Sequence, residues 1–296
     1  MNKFNYQEAV GGFQSVLAYI IWGLSPFFWM LLSGISPWLI VANRMIWSCI
    51  MMLLIVVAYR QLSQIKSIFQ DKKGLGLLFI CSCLIFCNWA IYIWAVSNQR
   101  IIEASLGYYI NPLMVILLGK IFLHEQFDWL KKISILIAMM GIGIMIFRFG
   151  RIPYISLSLS TSFAIYGLIK KKIKYPPIQT MFMENLLFFL PAFLFIIFSP
   201  ATYILPPTKH MILALGGVYS GVPLILFASG VKKINLSTQG YIQFIAPTIL
   251  FFLSKYVFLE NINQAQFTAL IFIWVACLIF IISLFTQKPL PLRESL

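Results

Sequence analysis

The amino-acid sequence predicts an all-α integral membrane protein in which ten transmembrane helices form two inverted-topology five-helix repeats around a central cavity. Three observations support this fold class. Hydrophobic residues make up 61% of the chain and charged residues only 10%, which is unlike a soluble domain. Ten continuous apolar stretches are long enough, or nearly so, to cross about 30 Å of hydrocarbon as helices. One short segment also occurs twice along the chain.

The apolar stretches define the helices in chain order and are separated by short connections. They lie near residues 11–32, 36–58, 74–97, 104–123, 129–148, 152–169, 179–198, 209–230, 237–258 and 264–285. Each stretch is continuously apolar rather than alternating, which argues against a transmembrane β-barrel. The first ten residues are polar and no small-residue cleavage site follows them. We therefore expect span one to be a retained helix rather than a signal peptide.

Residues 110–125 recur without a gap as residues 245–260. The first copy contains Ile110, Pro112, Leu118, Lys120 and Glu125, and the second contains Ile245, Pro247, Leu253, Lys255 and Glu260. Proline, lysine and glutamate are scarce in an apolar sequence, so their match in one register is informative. The copies fall in the fourth and ninth spans, so they cross the bilayer in opposite directions. This predicts two inverted repeats, residues 1–150 and 151–296, as found in alternating-access transporters.

The net charge of +14 does not indicate a nucleic-acid partner, because of where the charges lie. Most of the basic residues fall in the loops on one side of the predicted helices. The positive-inside rule then places both termini in the cytoplasm, as ten spans require, and makes the lipid bilayer the large partner of the chain. We interpret the basic run at residues 170–174 as a topology determinant at a lipid surface rather than a ligand site.

Arg44 and Glu184 are charged residues within apolar spans. Arg44 lies roughly 10 Å along span two, counting about 1.5 Å per residue from Pro37. Glu184 lies at a similar depth in span seven, which enters from the opposite side. Charged residues at this depth usually face the interior of the helix bundle or water. Each residue is predicted either to line a vestibule or, alternatively, only to snorkel or satisfy helix ends.

Prolines accompany polar residues in the fourth and ninth spans. Tyr108 and Asn111 lie just before Pro112, and Gln243 precedes Pro247 by four residues. A proline removes a backbone hydrogen bond and loosens the helix. Polar residues beside such a site near the middle of the bilayer are candidates for a transport pathway. The alternative for Asn111 and Gln243 is hydrogen bonding that only holds helices together.

Further polar and aromatic candidates lie in spans three, one and six. Asn88 and Tyr92 share a helix face in span three. Trp22 and Tyr166 each precede a glycine in equivalent spans of the two halves, and an aromatic ring with a polar group suits an amphipathic ligand. Interfacial anchoring and packing are the alternative roles for these aromatic residues.

Small residues within the spans are interpreted as packing residues. Cys81, Cys83 and Cys87 do not share one helix face and have no nearby histidine, so we expect neither a metal site nor a disulfide. Gly217 and Gly221 form a small-xxx-small pair that predicts the close approach of two helices. The chain contains no phosphate-binding loop, dinucleotide motif or catalytic constellation, and we predict no cofactor.

Longer motifs along the chain resemble a known family. They are AYIIWGLSP at 18–26, NRMIWS at 43–48, NWAIYIWAVSNQ at 88–99, EASLGYYINPL at 103–113, FAIYGLIKKK at 163–172, NLSTQGYIQFIAPT at 235–248 and FIWVA at 272–276. Together these motifs resemble the RarD-type, chloramphenicol-sensitive proteins of the EamA branch of the drug/metabolite transporter superfamily. The resemblance covers nearly the whole chain.

The resemblance implies ten helices in two inverted repeats, with helices five and ten at the periphery, and transport of a small-molecule substrate. Carried over residue by residue, it implies cavity positions at Trp22, Arg44, Asn88, Trp89, Tyr108, Asn111, Tyr166, Glu184 and Gln243. Met30 stands where the resemblance leads us to expect a lysine, so a preference for anions does not carry over directly.

The expected function is secondary transport of a small amphipathic metabolite or drug across the bacterial cytoplasmic membrane by alternating access, in the direction of export. A passive channel is the alternative, but it requires a selectivity ring or a constriction, and the sequence contains neither. An intramembrane enzyme is less favoured, since it requires clustered acids, histidines or metal ligands, and the chain has only eight acidic residues, which are spread along its length.

Overall fold

The computed structural model describes residues 6–98, 100–200, 205–259 and 264–286, and within these ranges the regular structure is entirely helical. The helices are α1 (Tyr6–Gly23), α2 (Ser25–Met30), α3 (Pro37–Ala58), α4 (Leu62–Gln70), α5 (Lys72–Ser97), α6 (Ile101–Phe122), α7 (Trp129–Phe149), α8 (Tyr154–Lys172), α9 (Pro177–Phe198), α10 (Pro207–Val231), α11 (Leu236–Gln243), α12 (Ile245–Tyr256) and α13 (Gln264–Thr286).

Nine helical segments in these ranges are long and apolar enough to cross a membrane, and they correspond to nine of the ten predicted spans. Two of them are divided by a break: α1 and α2 form the span Tyr6–Met30, and α11 and α12 form the span Leu236–Tyr256. The predicted sixth span is present as α8, but this 19-residue helix contains several serines and ends in three lysines. The protein is thus an all-helical, multi-pass membrane protein.

Each divided span contains a proline just after its break. Pro26 follows the break at Leu24, and Pro247 follows the break at Phe244. A proline cannot donate to the carbonyl four residues before it and clashes with that carbonyl, so the preceding turn is the weak point of the helix. Pro112, by contrast, lies inside the unbroken helix α6. The two copies of the repeated segment therefore differ in backbone, although both contain the proline.

The helices pack in pairs that fix the interior. Helix α3 packs against α9 and α10, α6 packs against α8 and α11, and α1 packs against α10, α11 and α12. Helix α5 lies between α8 and α9, while α7 and α13 pack mainly on each other. The α7–α13 contact is close at Gly141, where an added Cβ would lie 2.7 Å from Cβ of Phe272.

Gly217 makes the contact between α10 and α3 possible, as the small-residue pair predicted. An added Cβ at Gly217 would lie 2.3 Å from Cβ of Trp47 and 2.7 Å from the backbone nitrogen of Ser48. The Ser48 hydroxyl donates a hydrogen bond of 2.7 Å to the Gly217 carbonyl. Gly221 continues the contact one turn later, against the side chain of Met51. Only a residue without a side chain allows these backbones to approach so closely.

Helix α4 was not predicted from the sequence. It connects spans two and three and is amphipathic: Ile65 and Ile68 are buried against the bundle, whereas Lys66 and Phe69 are exposed. Its nine residues are too few to cross a bilayer and form no long apolar run in the sequence. An amphipathic helix of this kind fits the boundary between lipid and water.

Candidate functional site

Arg44 of α3 lies against two tryptophans. Its guanidinium carbon is 3.8 Å from the ring centroid of Trp89 on α5 and 5.8 Å from that of Trp29 on α2. A cation over the face of an indole ring is attracted by the ring's negative potential, which stabilises a charge at this depth. The Nε atom of Arg44 is buried and has no hydrogen-bond partner among the described residues. The guanidinium therefore retains unused donor capacity.

Tyr108 of α6 extends this cluster. Its side chain is 45% exposed, although the neighbouring residues Leu106, Tyr109 and Ile110 on the same helix are buried. The Tyr108 ring lies 6.3 Å from that of Tyr92 on α5, and the Tyr108 hydroxyl is close enough to Arg44 for the two groups to interact electrostatically. We call Trp29, Arg44, Trp89, Tyr92 and Tyr108 the arginine–aromatic cluster. It brings together residues of α2, α3, α5 and α6.

Asn111, three residues after Tyr108 on α6, is paired with Gln243 of α11, which lies two residues before the second copy of the repeated segment. Nδ2 of Asn111 on α6 donates a hydrogen bond of 2.6 Å to Oε1 of Gln243 on α11. Oδ1 of Asn111 and Nε2 of Gln243 are buried without a partner among the described residues. The pair thus holds two helices together, and it also leaves one acceptor and one donor unused. This geometry is compatible with both roles considered from the sequence, which are lining a transport pathway and holding two helices together.

Asn88 uses both of its donor hydrogens within the bundle. Its Nδ2 atom donates to the Leu159 carbonyl at 2.7 Å and to the Ser162 hydroxyl at 2.8 Å. These bonds tie α5 to α8. The geometry therefore favours the interpretation that Asn88 holds helices together over the interpretation that it binds a ligand.

Glu184 of α9 forms a buried ion pair with Lys170 of α8. Nζ of Lys170 lies 2.8 Å from Oε1 of Glu184 and also donates to the Thr180 hydroxyl at 2.7 Å. The Tyr166 hydroxyl donates to Oε2 of Glu184 at 3.1 Å. Lys170 and Glu184 are 0% and 5% exposed. We call Tyr166, Lys170, Thr180 and Glu184 the ion-pair cluster.

This pairing corrects the interpretation of residues 170–174 as purely lipid-surface residues. Lys172 and Lys174 are exposed, as expected, but Lys170 points into the bundle. Within α8, helix periodicity turns each successive lysine by about 100° to a different face, so lysines that are adjacent in sequence do not share one environment. The short connection at residues 173–176 was a signal in the sequence for this ion pair, because it places α8 and α9 next to each other along the chain.

Trp89 connects the two clusters. A cavity of about 10 Å³, roughly the space for one water molecule, is lined by Trp89, Tyr166 and Glu184, among other residues. One face of Trp89 therefore contacts Arg44, and the tryptophan also borders the cavity beside the ion pair. Trp89 is therefore the side chain that lies between the arginine–aromatic cluster and the ion-pair cluster.

Trp22 lies in an aromatic group beside the ion-pair cluster and contacts rings from both halves. Its ring centroid is 5.0 Å from that of Tyr19, 6.0 Å from that of Phe163 and 5.9 Å from that of Phe227. Phe227 also stacks on Tyr166 at 6.2 Å. Trp22 and Tyr166, selected as equivalents from the sequence, thus meet through Phe227.

Two glutamates that were not selected as site residues fix helix ends. Oε2 of Glu125 accepts the backbone N–H of Ser237 at 2.9 Å, at the start of α11. Glu103 is 1% exposed, pairs with Arg100 at 2.6 Å and accepts the Ile155 backbone N–H at 3.0 Å. Carboxylates near helix N-termini satisfy free N–H groups and the helix dipole. Glu125 therefore fixes the start of α11; its repeat partner Glu260 lies outside the described residues.

The described ranges contain no group of three or more histidine, cysteine, aspartate or glutamate residues that could hold a metal ion. The five cysteines are free thiols, and Cys49 and Cys81 are buried. The interior of the described bundle combines aromatic rings, amides and a few charged groups. Together with the membrane-spanning helices, it defines the class of multi-pass membrane proteins.

Comparison with known proteins specifies the family. The EamA-like transporter family matches residues 10–147 and again residues 153–282. Protein RarD of Salmonella typhimurium is 35% identical over 95% of this chain and 98% of its own length. The uncharacterized transporter YojE of Bacillus subtilis is 36% identical over 92% of this chain and 94% of its own length. The chain therefore belongs to the EamA-like transporter family, as a RarD-type member.

The fold also matches a solved structure. A crystal structure described only as that of a protein superposes with a TM-score of 0.70, covering 95% of this chain and 99% of the other. Its sequence is only 14% identical, so this match concerns the fold alone. A more distant relative, at 23% identity, is named the chloramphenicol-sensitive protein RarD of Pseudomonas aeruginosa.

Proposed function

We propose that this protein is a secondary transporter that exports a small amphipathic metabolite or drug across the cytoplasmic membrane by alternating access. The observation that carries this proposal is the unequal accessibility of the two polar clusters. Tyr108 of the arginine–aromatic cluster is half-exposed, whereas Lys170, Glu184 and Tyr166 of the ion-pair cluster are buried. Alternating access requires that one end of a pathway be accessible while the other is closed, and the different exposure of the two clusters fits that requirement.

The helix packing supports two inverted repeats, residues 1–150 and 151–296, with α8 as the tenth crossing. If spans one to five are exchanged in order with spans six to ten, the contact between α1 (span one) and α10 (span eight) becomes a contact between α8 (span six) and α5 (span three). Both contacts are present. The same exchange maps the pairs α3–α9, α6–α11 and α7–α13 onto themselves. The family matches also divide the chain into two consecutive segments. Two equivalent halves that meet around the cavity could exchange roles as the protein changes its open side.

The arginine–aromatic cluster favours a substrate with an aromatic or other planar apolar body and a polar or anionic group. The planar guanidinium of Arg44 can bind a carboxylate with two parallel hydrogen bonds, and its buried Nε lacks a partner in the described structure. Trp29, Trp89 and Tyr108 supply aromatic surface around it. Met30, which follows Trp29 at the end of α2, is exposed and uncharged, so this position supplies no second cation.

Counterflow in proteoliposomes tests transport against a passive channel. A thermal-shift screen of the purified protein against amino acids, nucleosides, polyamines and antibiotics, including chloramphenicol, first supplies a ligand. We expect uptake of the labelled ligand to saturate and to accelerate when the vesicles contain the unlabelled ligand, because the return of a loaded carrier is coupled to entry. Flux that rises linearly with concentration and ignores the internal ligand would instead establish a channel.

The topology can be tested independently. We propose that both termini lie in the cytoplasm, so that the Arg44 side of the cavity faces outward, because the basic loops then lie inside. Reporter tags at either terminus should give a cytoplasmic signal, and a tag inserted in residues 200–208 should give an external one. Termini on opposite faces of the membrane would contradict both the ten-span arrangement and the inverted repeat.

A further inference from the structure

A groove separate from both polar clusters lies between α4, α5 and α9. Its volume is about 460 Å³, within the range of pockets that hold organic ligands. Its walls are apolar and include Phe69 of α4, Leu75, Gly76 and Phe79 of α5, and Met183 and Leu187 of α9. We call this site the lateral groove.

The lateral groove opens sideways, away from the centre of the bundle. Phe69 and Phe79 on its walls are more than half exposed, and Met183 forms a buried floor. Helices α5 and α9 are both membrane-spanning segments, so the open side faces hydrocarbon. A ligand that reaches the groove from this direction must carry an apolar chain.

Lys72 at the rim supplies the polar end of the site. It is exposed and begins α5, where it is followed by Lys73, which is also exposed. Cations are unfavourable in the first turn of a helix because the dipole is positive there, so an anion beside Lys72 would be stabilised by both the charge and the dipole. Within the described ranges, no carboxylate forms an ion pair with Lys72.

The neighbouring carboxylate, Asp71, is engaged elsewhere. It accepts the Gly74 backbone N–H at 3.0 Å and the Tyr175 hydroxyl at 3.0 Å. These two hydrogen bonds hold the pKa of the Asp71 carboxyl below its usual value. Asp71 therefore serves to join the start of α5 to Tyr175, and the ammonium group of Lys72 remains available at the mouth of the groove.

We propose that the lateral groove binds an anionic phospholipid, with one acyl chain between α5 and α9 and the phosphate paired with Lys72. The amphipathic helix α4 fits the lipid–water boundary and borders the groove with Phe69. The phosphate then lies beside Lys72 in the interfacial region, while the acyl chain lies among apolar side chains. This site is independent of the substrate cavity and of the proposed transport activity.

Native mass spectrometry of the purified protein with phosphatidylglycerol and phosphatidylcholine of equal chain length tests this site. Gly76 lines the groove, and a Cβ added there meets no atom within 4 Å, so the side chain of Gly76→Leu begins in open space and occupies part of the groove. We expect this variant to lose the phosphatidylglycerol adduct by more than about tenfold, judged from the chain area it displaces. Lys72→Gln should weaken phosphatidylglycerol binding about fivefold and leave phosphatidylcholine binding unchanged.

Gly143→Leu is the matched control, because Gly143 is exposed in the spanning helix α7 and also has open space around its Cα. It should bind lipid as the wild type does. Unchanged phosphatidylglycerol binding in a folded Gly76→Leu variant would overturn the proposal. Equal binding of the two lipids, without an effect of Lys72→Gln, would refute the head-group contact. Displacement of the lipid by sn-glycerol 3-phosphate alone would identify a phosphate site that needs no chain.

Discussion

Replacing Lys170 with methionine should sharply reduce the thermal stability of the protein. The substitution leaves the Glu184 carboxylate buried, with the Tyr166 hydroxyl at 3.1 Å as its remaining side-chain partner. Removal of one partner of a buried ion pair typically costs about 3–5 kcal/mol, because the other charge stays desolvated and uncompensated. The loss of monodisperse protein after heating, followed by size-exclusion chromatography in detergent, measures the effect.

A second substitution separates loss of the charge balance from loss of packing. The double variant Lys170→Met/Glu184→Gln has no uncompensated charge and should recover most of the stability lost in Lys170→Met. Lys172→Met is the control, since Lys172 is exposed two residues further along α8 and should tolerate the change. If Lys170→Met were as stable as the wild type, the ion pair would contribute nothing to the fold.

The same double variant tests whether Glu184 takes part in proton coupling. If the carboxylate carries the coupled proton, a folded Lys170→Met/Glu184→Gln protein should bind ligand but no longer respond to a pH gradient. If the pair is only structural, the gradient dependence should persist in full. Retained dependence in a well-folded double variant would remove Glu184 from the coupling mechanism.

Arg44→Gln should abolish transport while leaving folded, ligand-free protein in the membrane. The substitution removes both the cation over Trp89 and the buried Nε donor that has no partner among the described residues. Arg44→Lys keeps the charge but loses the planar fork, so the apparent affinity should fall by about tenfold or more. Concentration-dependent uptake, with the ligand identified in the thermal-shift screen, distinguishes a change in affinity from a change in maximal rate.

Arg148 provides the control for Arg44. It is exposed in the last turn of α7, away from the cavity, and Arg148→Gln should transport normally. If Arg44 is structural rather than substrate-binding, Arg44→Gln should lower the yield of folded protein and Arg44→Lys should restore both yield and transport. Full activity in a folded Arg44→Gln variant would exclude either role.

Hydrophobic length was sufficient to predict nine crossings, because the cost of leaving backbone polar groups in hydrocarbon forces long apolar runs to become helices. It could not predict α4, whose amphipathic pattern occupies only nine residues. Hydrophobic length also could not predict that the helix is broken just before Pro247 but continuous through Pro112. The effect of a proline depends on what surrounds the helix, and that information is absent from the local sequence.

The candidate site likewise contains some residues that could be predicted from the sequence and others that could not. Arg44 and Glu184 were found because a charge within an apolar run is conspicuous. Lys170 was missed because it belongs to a run of lysines that has its own explanation at a membrane surface. Its partner is chosen by the rotation of α8 relative to α9, a tertiary property. A rare charged residue in an apolar span thus identifies a group that is costly to bury, but helix packing decides which partner compensates its charge.

The modest apolar character of α8 has a consequence for biogenesis. A 19-residue segment that contains several serines and three terminal lysines is a weak substrate for insertion, so the crossing proposed for α8 depends on a neighbouring helix. Helix α9 follows after a short connection, is far more apolar and brings Glu184 opposite Lys170. Insertion of the α8–α9 hairpin as one unit would allow the two charges to enter as a neutral pair, which lowers the cost of transfer. The later helix would therefore help the earlier one to enter the membrane, and translation would have to reach α9 before α8 is secured.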